Sequence, residues 1–134
     1  MREIQEVIFR GKRTDCEAWV EGDLLHYESG EMAICKGFSK YGYEATEIIG
    51  RYKVIPETVG QYTGLTDKNG MKIFEGDILT IENEGVYAAI KYNESNAAFY
   101  VEDEDHEDYL GEAWETGVVI IGNIHDNPEL LQKI

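Results

Sequence analysis

The sequence has little of what most chemistries need. It holds two cysteines, two prolines and three histidines. Cys16 and Cys35 have no second pair and form no Cys-x-x-Cys, so a structural zinc site is excluded. They read as reduced thiols in small core positions, with a disulfide between them left open. His26, His106 and His125 stand at no metal-ligand spacing from one another. The serines, Ser29, Ser39 and Ser95, sit in turn-like contexts, and no Gly-x-Ser-x-Gly elbow occurs. No Gly-Lys-Ser/Thr and no Gly-x-Gly-x-x-Gly is present, which excludes a P-loop and a dinucleotide fingerprint. No apolar run is long enough to cross a membrane, and Met1-Arg-Glu-Ile-Gln-Glu lacks a signal-peptide core. A cytoplasmic protein is expected.

Basic residues are scarce too: 12 Lys and Arg stand against 27 Asp and Glu, a net charge of -15. The imbalance is uneven. Residues 1–67 hold 8 basic and 12 acidic side chains, and residues 68–134 hold 4 and 15. Such a C-terminal half repels phosphate backbones. The basic knot Arg10, Lys12, Arg13 is too small to argue for DNA. High negative charge favours solubility and basic partners or cations.

Tyrosine is plentiful, nine against four Phe. Its ring packs while its hydroxyl stays wet, which suits half-buried strands and contact surfaces. The chain reads as short strands between turn signals. Ile4–Arg10 opens. Cys16–Tyr27 follows as a hairpin turning at Gly22-Asp23, and Met32–Cys35 comes after Ser29-Gly30. Ile48–Ile55 ends at Pro56, where a tight turn over Pro56-Glu57-Thr58 divides the chain into 1–56 and 57–134. Gly76–Glu82, Val86–Tyr92 and Ala97–Glu102 follow as strands, and Asp103–Glu115 as an acidic loop. Thr116–His125 is a buried strand kinked at Gly122. Asn127-Pro-Glu-Leu-Leu carries N-cap, N1 and first-turn signals, so a short helix is expected to close a small barrel.

Between the halves lies Gly60-Gln-Tyr-Thr-Gly-Leu-Thr-Asp-Lys-Asn-Gly-Met-Lys-Ile-Phe-Glu-Gly-Asp-Ile-Leu79. Asn69-Gly70 suits a type I′ turn, and Asp67 can accept from its own downstream backbone. Val59, Tyr62 and Leu65 on one arm, and Met71, Ile73 and Phe74 on the other, are expected to pin both arms on a core. A folding hinge is favoured over a ligand loop. Thr66, Asp67, Lys68 and Asn69 are expected to be exposed and available to a partner.

Gly60-Gln-Tyr-Thr-Gly-Leu-x-Asp-Lys-Asn-Gly with Ile73-Phe-Glu-Gly-Asp-Ile78 resembles the signature of the YopX family of phage and prophage proteins. The opening, Arg2-Glu-Ile to Phe9-Arg-Gly-Lys-Arg-Thr-Asp15 and Trp19-Val-x-Gly-Asp-Leu24, is similar to that family's. So is the close, Ile121-Gly-Asn-Ile-x-x-Asn-Pro-Glu-Leu-Leu131. Ile4-Gln-Glu-Val-Ile-Phe9 departs by a longer spacer before the Phe, which shifts only a strand register. The resemblance implies an all-β or mainly β protein whose C-terminal part is an SH3-like barrel, encoded by phage and working in a bacterial cytoplasm. It implies no activity and no catalytic residue.

Two clusters invite a sharper reading. Glu102-Asp-Glu-Asp-His-Glu-Asp108 packs six carboxylates into seven residues. It lacks the spaced acids, central Gly and terminal Glu of a calcium loop, and one loop is not how two-metal nucleases gather carboxylates. A solvated connection is favoured over a cation site or a lure for a basic partner. Phe38, Tyr41 and Tyr43, with Lys40 and Tyr52, form an aromatic-basic patch suited to stacked bases or to a protein contact. The net charge favours protein. The expectation is therefore a non-enzymatic interaction module, able to self-associate, with no metal, no cofactor and no membrane contact. Its contacts are Phe38, Tyr41, Tyr43, Thr66, Asp67, Lys68 and Asn69. The alternatives are a nucleic-acid-associated factor using residues 38–43 and a divalent-metal enzyme using the acidic loop.

Overall fold

In a computed structural model the described residues are 6–36, 50–81, 86–102, 107–109 and 117–133. They form a mainly β protein of antiparallel strands, dividing into two compact units, Met1–Tyr62 and Thr63–Ile134. The division falls within a strand, six residues beyond the expected 56/57 boundary.

The first unit contains β1 (Phe9–Lys12), β2 (Trp19–His26), β3 (Met32–Lys36), β4 (Gly50–Val54) and the start of β5 (Gly60–Thr66). The order is β4-β3-β2-β1-β5. Val20, Ile34 and Val54 are buried at its centre, with Phe9, Leu24, Met32, Tyr52 and Val59 packed around them. The far end of β4 returns to β1. Arg13 and Val54 form an isolated bridge, Ile55 N–H donates to the Lys12 carbonyl at 2.8 Å, and Thr14 N–H donates to the Lys53 carbonyl at 3.0 Å. Pro56–Thr58 is one 3₁₀ turn, as the tight-turn reading required. Thr58 secures it: its buried hydroxyl donates to the Ile55 carbonyl at 2.6 Å and accepts Lys12 N–H at 2.9 Å.

One expected turn is absent. Gly22-Asp23 does not reverse the chain, because β2 runs unbroken from Trp19 to His26. Instead the strand changes neighbours there. Trp19–Gly22 pair with β1, and Asp23–His26 pair with β3. A Cβ at Gly22 would collide with the Cys35 carbonyl and come within 3.1 Å of Ile34 Cγ2. The glycine therefore permits a close approach. Cys16 is exposed and Cys35 half-buried, both free, so Cys16 is not the core residue expected.

The second unit continues from the rest of β5 into β6 (Lys72–Phe74), its hydrogen-bonded neighbour. It then builds a five-stranded sheet from β7 (Asp77–Ile81), β8 (Val86–Asn93), β9 (Ala98–Glu102), β10 (Glu107–Tyr109) and β11 (Val118–Asn123), in the order β10-β9-β8-β7-β11. Ile73, Leu79, Ile90 and Val118 are buried together, with Leu65, Phe99, Val101 and Ile120 against them. Strand alternation explains the set: Leu79 lies opposite Ala88 and Ile120, and Ile90 opposite Val101. The ladder slips between Ile120 and Gly122, next to the expected kink.

Three expectations differ from the structure in detail. No closed barrel is found among the described residues. The C-terminal segment Pro128–Lys133 is 3₁₀, not an α-helix. Asn127 does not cap it forwards, because its side-chain oxygen reaches back to accept Asn123 N–H at 3.1 Å. Finally, the acidic loop contains β10, paired antiparallel with β9 through Glu107↔Glu102 and Tyr109↔Tyr100.

Candidate functional site

The glycine-rich motif between the halves is the natural first candidate, and its geometry assigns its acids to architecture. Gly70 N–H donates to the Asp67 carbonyl at 3.0 Å, and Asp67 N–H donates to the Met71 carbonyl at 2.9 Å. Gly70 has φ of 82°, while Lys68 and Asn69 keep negative φ. This is a type I turn followed by a left-handed glycine bulge, so the expected type I′ turn is corrected. Tyr27 to Glu31 repeats the pattern around Gly30, with φ of 91°.

Asp67 is 6% exposed, not open to a partner as expected. Its Oδ1 accepts Asn69 N–H at 2.8 Å and Met71 N–H at 3.0 Å, and its Oδ2 accepts Ile120 N–H at 3.2 Å. Burial pushes the carboxyl upward, but the three backbone donors outweigh it and hold its pKa below the ordinary value. Lys68 N–H donates to the Val118 carbonyl at 2.9 Å, so the turn is tied to β11 at two points. Asp77, 2% exposed, accepts Phe74 N–H at 2.7 Å. Gly76, with φ of 94°, donates to the Ile90 carbonyl, and its own carbonyl accepts Ile124 N–H. Ile73 and Phe74 anchor as expected, whereas Met71 is 61% exposed.

Of the other contact residues, Thr66, Lys68 and Asn69 are exposed around the turn. Phe38, Tyr41 and Tyr43 lie outside the described residues, as do residues 103–106 of the acidic run. No group of three His, Cys, Asp or Glu that could hold a metal ion occurs among the described residues. His26 is exposed and His125 half-buried. The described residues also contain no helix long and apolar enough to cross a membrane.

A second site emerges that the sequence reading passed over. The basic knot on β1 lies against aromatic rings: Arg10 is 4.9 Å and Lys12 5.9 Å from the ring of Trp19, and Arg13 is 4.5 Å from the ring of Tyr52. Such contacts hold cations over rings whose faces are electron-rich. Arg13 also grips Asp15 with two hydrogen bonds, of 2.9 and 2.7 Å. Their hydrogen bonding raises the arginine pKa and lowers that of the carboxyl. Beside Trp19 runs a groove of about 420 Å³, lined by Ile8, Trp19, Val20, Glu21, Gly22 and Lys36. Its lining comes from β2, from the end of β3 and from the residue before β1. Sequence offered one hint, a tryptophan opposite a lysine-arginine cluster, but the pairing Lys12↔Trp19 is needed to see it.

Comparisons with known proteins agree with the architecture. The crystal structure of protein EF1440 from Enterococcus faecalis is similar, with a TM-score of 0.59 and 26% sequence identity, covering 96% of this chain and 99% of that one. Curated proteins give no match. A family model described as YopX protein matches residues 8–132. That span contains the central motif, the Trp19 groove and the C-terminal sheet, and the chain belongs to the YopX family.

Proposed function

We propose that the chain is a phage-encoded, non-enzymatic protein-interaction module working in a bacterial cytoplasm. The observation that carries this reading is the groove beside Trp19, a concave surface of mixed apolar and charged lining. Tryptophan and arginine are the side chains on which protein contacts most often depend. The motif acids Asp67 and Asp77 support the non-enzymatic part, because both accept backbone N–H groups that shape turns. Self-association belongs to the same reading, on the strength of the nine tyrosines.

The test is affinity capture with the full chain from prophage-induced host cells, followed by reconstitution with the purified partner. A stoichiometric complex is expected. Its absence, together with turnover of a substrate by the chain alone, overturns the reading. Light scattering tests self-association separately: a clean monomer at high concentration removes it.

A further inference from the structure

We propose that Asn69-Gly70 is a site of self-modification, held closed by the Asp67 turn while the chain is folded and opened when that turn is lost. The conversion is deamidation of Asn69 through a cyclic imide.

The two residues carry the chemistry themselves. The Gly70 backbone nitrogen attacks the Asn69 side-chain carbonyl carbon and a C–N bond forms. The side-chain nitrogen leaves as ammonia, taking the proton that Gly70 gives up. Water then opens the imide. Attack at the former side-chain carbon gives aspartate. Attack at the backbone carbonyl gives isoaspartate, in which the main chain runs through the former side chain. No oxidant or cofactor enters. Glycine is the successor that hinders this attack least, because it has no Cβ and turns most freely. Asn69 is the only asparagine in the sequence that glycine follows. It is exposed, and a Cβ placed on Gly70 would meet nothing within 4 Å, so water reaches the pair.

The fold restrains the same pair. Closing the imide ring brings the Gly70 nitrogen over Cβ by rotation about the Asn69 Cα–C bond. That is far from the ψ of about 0° at this position of a type I turn. The nitrogen is held elsewhere: its N–H donates to the Asp67 carbonyl at 3.0 Å. Asp67 Oδ1 also fixes Asn69 N–H at 2.8 Å and Met71 N–H at 3.0 Å. The turn is tied in turn to β11, through Ile120 N–H on Asp67 Oδ2 and Lys68 N–H on the Val118 carbonyl. Opening it breaks bonds that reach the C-terminal sheet, so conversion follows the population of the open turn. Isoaspartate lengthens the backbone inside the turn by a carbon and adds a charge to a chain already at -15. A chain that has once lost the turn is thereby marked, and refolds to a weaker structure.

The test incubates the full chain at neutral pH, folded and in urea. Peptide mass mapping that separates aspartate from isoaspartate follows Asn69. Conversion is expected in urea, and about tenfold slower or more in the folded chain. Folded Asp67→Ala should convert faster than the parent. If that variant does not fold, the parent's Gly70 amide takes its place: its hydrogen exchange should be slow, and urea should raise exchange and conversion together. The converted chain should unfold at lower urea than the parent. The proposal is overturned by no conversion at Asn69 in urea, or by equal rates folded and unfolded. It is also overturned by a folded Asp67→Ala that converts no faster than the parent, by an unprotected Gly70 amide, or by a converted chain as stable as the parent.

Discussion

The carboxylate of Asp67 accepts the backbone N–H of Ile120, 53 positions further along the chain, at 3.2 Å. A turn in the middle of the sequence thereby holds a strand near its end. The same carboxylate shapes its own turn through Asn69 and Met71, so one buried side chain sets both local and long-range geometry.

Replacing Asp67 should therefore cost far more than replacing its exposed neighbour. Asp67→Ala leaves backbone donors buried without their acceptor, and we expect a loss of about 2–4 kcal/mol. Lys68→Ala should stay within about 0.5 kcal/mol, since its bond to Val118 is made by the backbone. Urea unfolding of both variants measures the difference. Equal effects would contradict the architectural role.

The pH dependence has a definite sign. The folded pKa of Asp67 is depressed, so its contribution to stability is fully present above the ordinary aspartate value of about 4. It is lost as pH falls through the lower folded value. Stability of the parent and of Asp67→Asn, followed from neutral pH down into that acidic range, should converge as pH drops. Parallel curves would remove the carboxylate from the explanation.

Two glycines should respond differently to the same change. Gly22→Ala forces a Cβ into the Cys35 carbonyl, an overpacking cost of about 1–3 kcal/mol. Gly30→Ala meets no neighbour within 4 Å and incurs only backbone strain at φ of 91°, about 1–2 kcal/mol. Asparagine separates them: it tolerates the left-handed region and should recover most of the loss at position 30, and none at 22. Thermal melts of the four variants decide.

Thr58 offers a fourth check. Thr58→Val keeps the shape but strands the Lys12 N–H, and should cost about 1–2 kcal/mol. Thr58→Ser keeps the hydroxyl and should lose less. Hydrogen exchange at Lys12 reports the bond directly, and unchanged protection in Thr58→Val would discount it.

The sequence made legible those features that depend on near neighbours. Pro56 fixed its turn, Ser29-Gly30 ended β2, and alternation located β7, β8 and β9 within a residue or two. Misreadings came where one residue type serves two purposes. Gly22 beside Asp23 has the composition of a turn, yet its role is contact with Cys35, which sequence spacing does not reveal. Asn69-Gly70 suited two turn types, and Asp67 chose between them by bonding Asn69 and Met71 through its side chain. The groove stayed hidden because Trp19 and Lys36 meet only once β2 has changed partners.

The order of the C-terminal sheet has a consequence for biosynthesis. β7 lies between β8 and β11, and Ile81 pairs with Val118. A nascent chain that has made β7 must therefore wait for roughly 40 more residues, about 2–8 seconds at roughly 5–20 residues per second, before that edge is covered. Until then an apolar strand edge is open on the ribosome. Residues 68–134 carry 15 acidic side chains against 4 basic ones, and much of that charge is translated during the wait. Like charge of that density disfavours association between such unfinished chains.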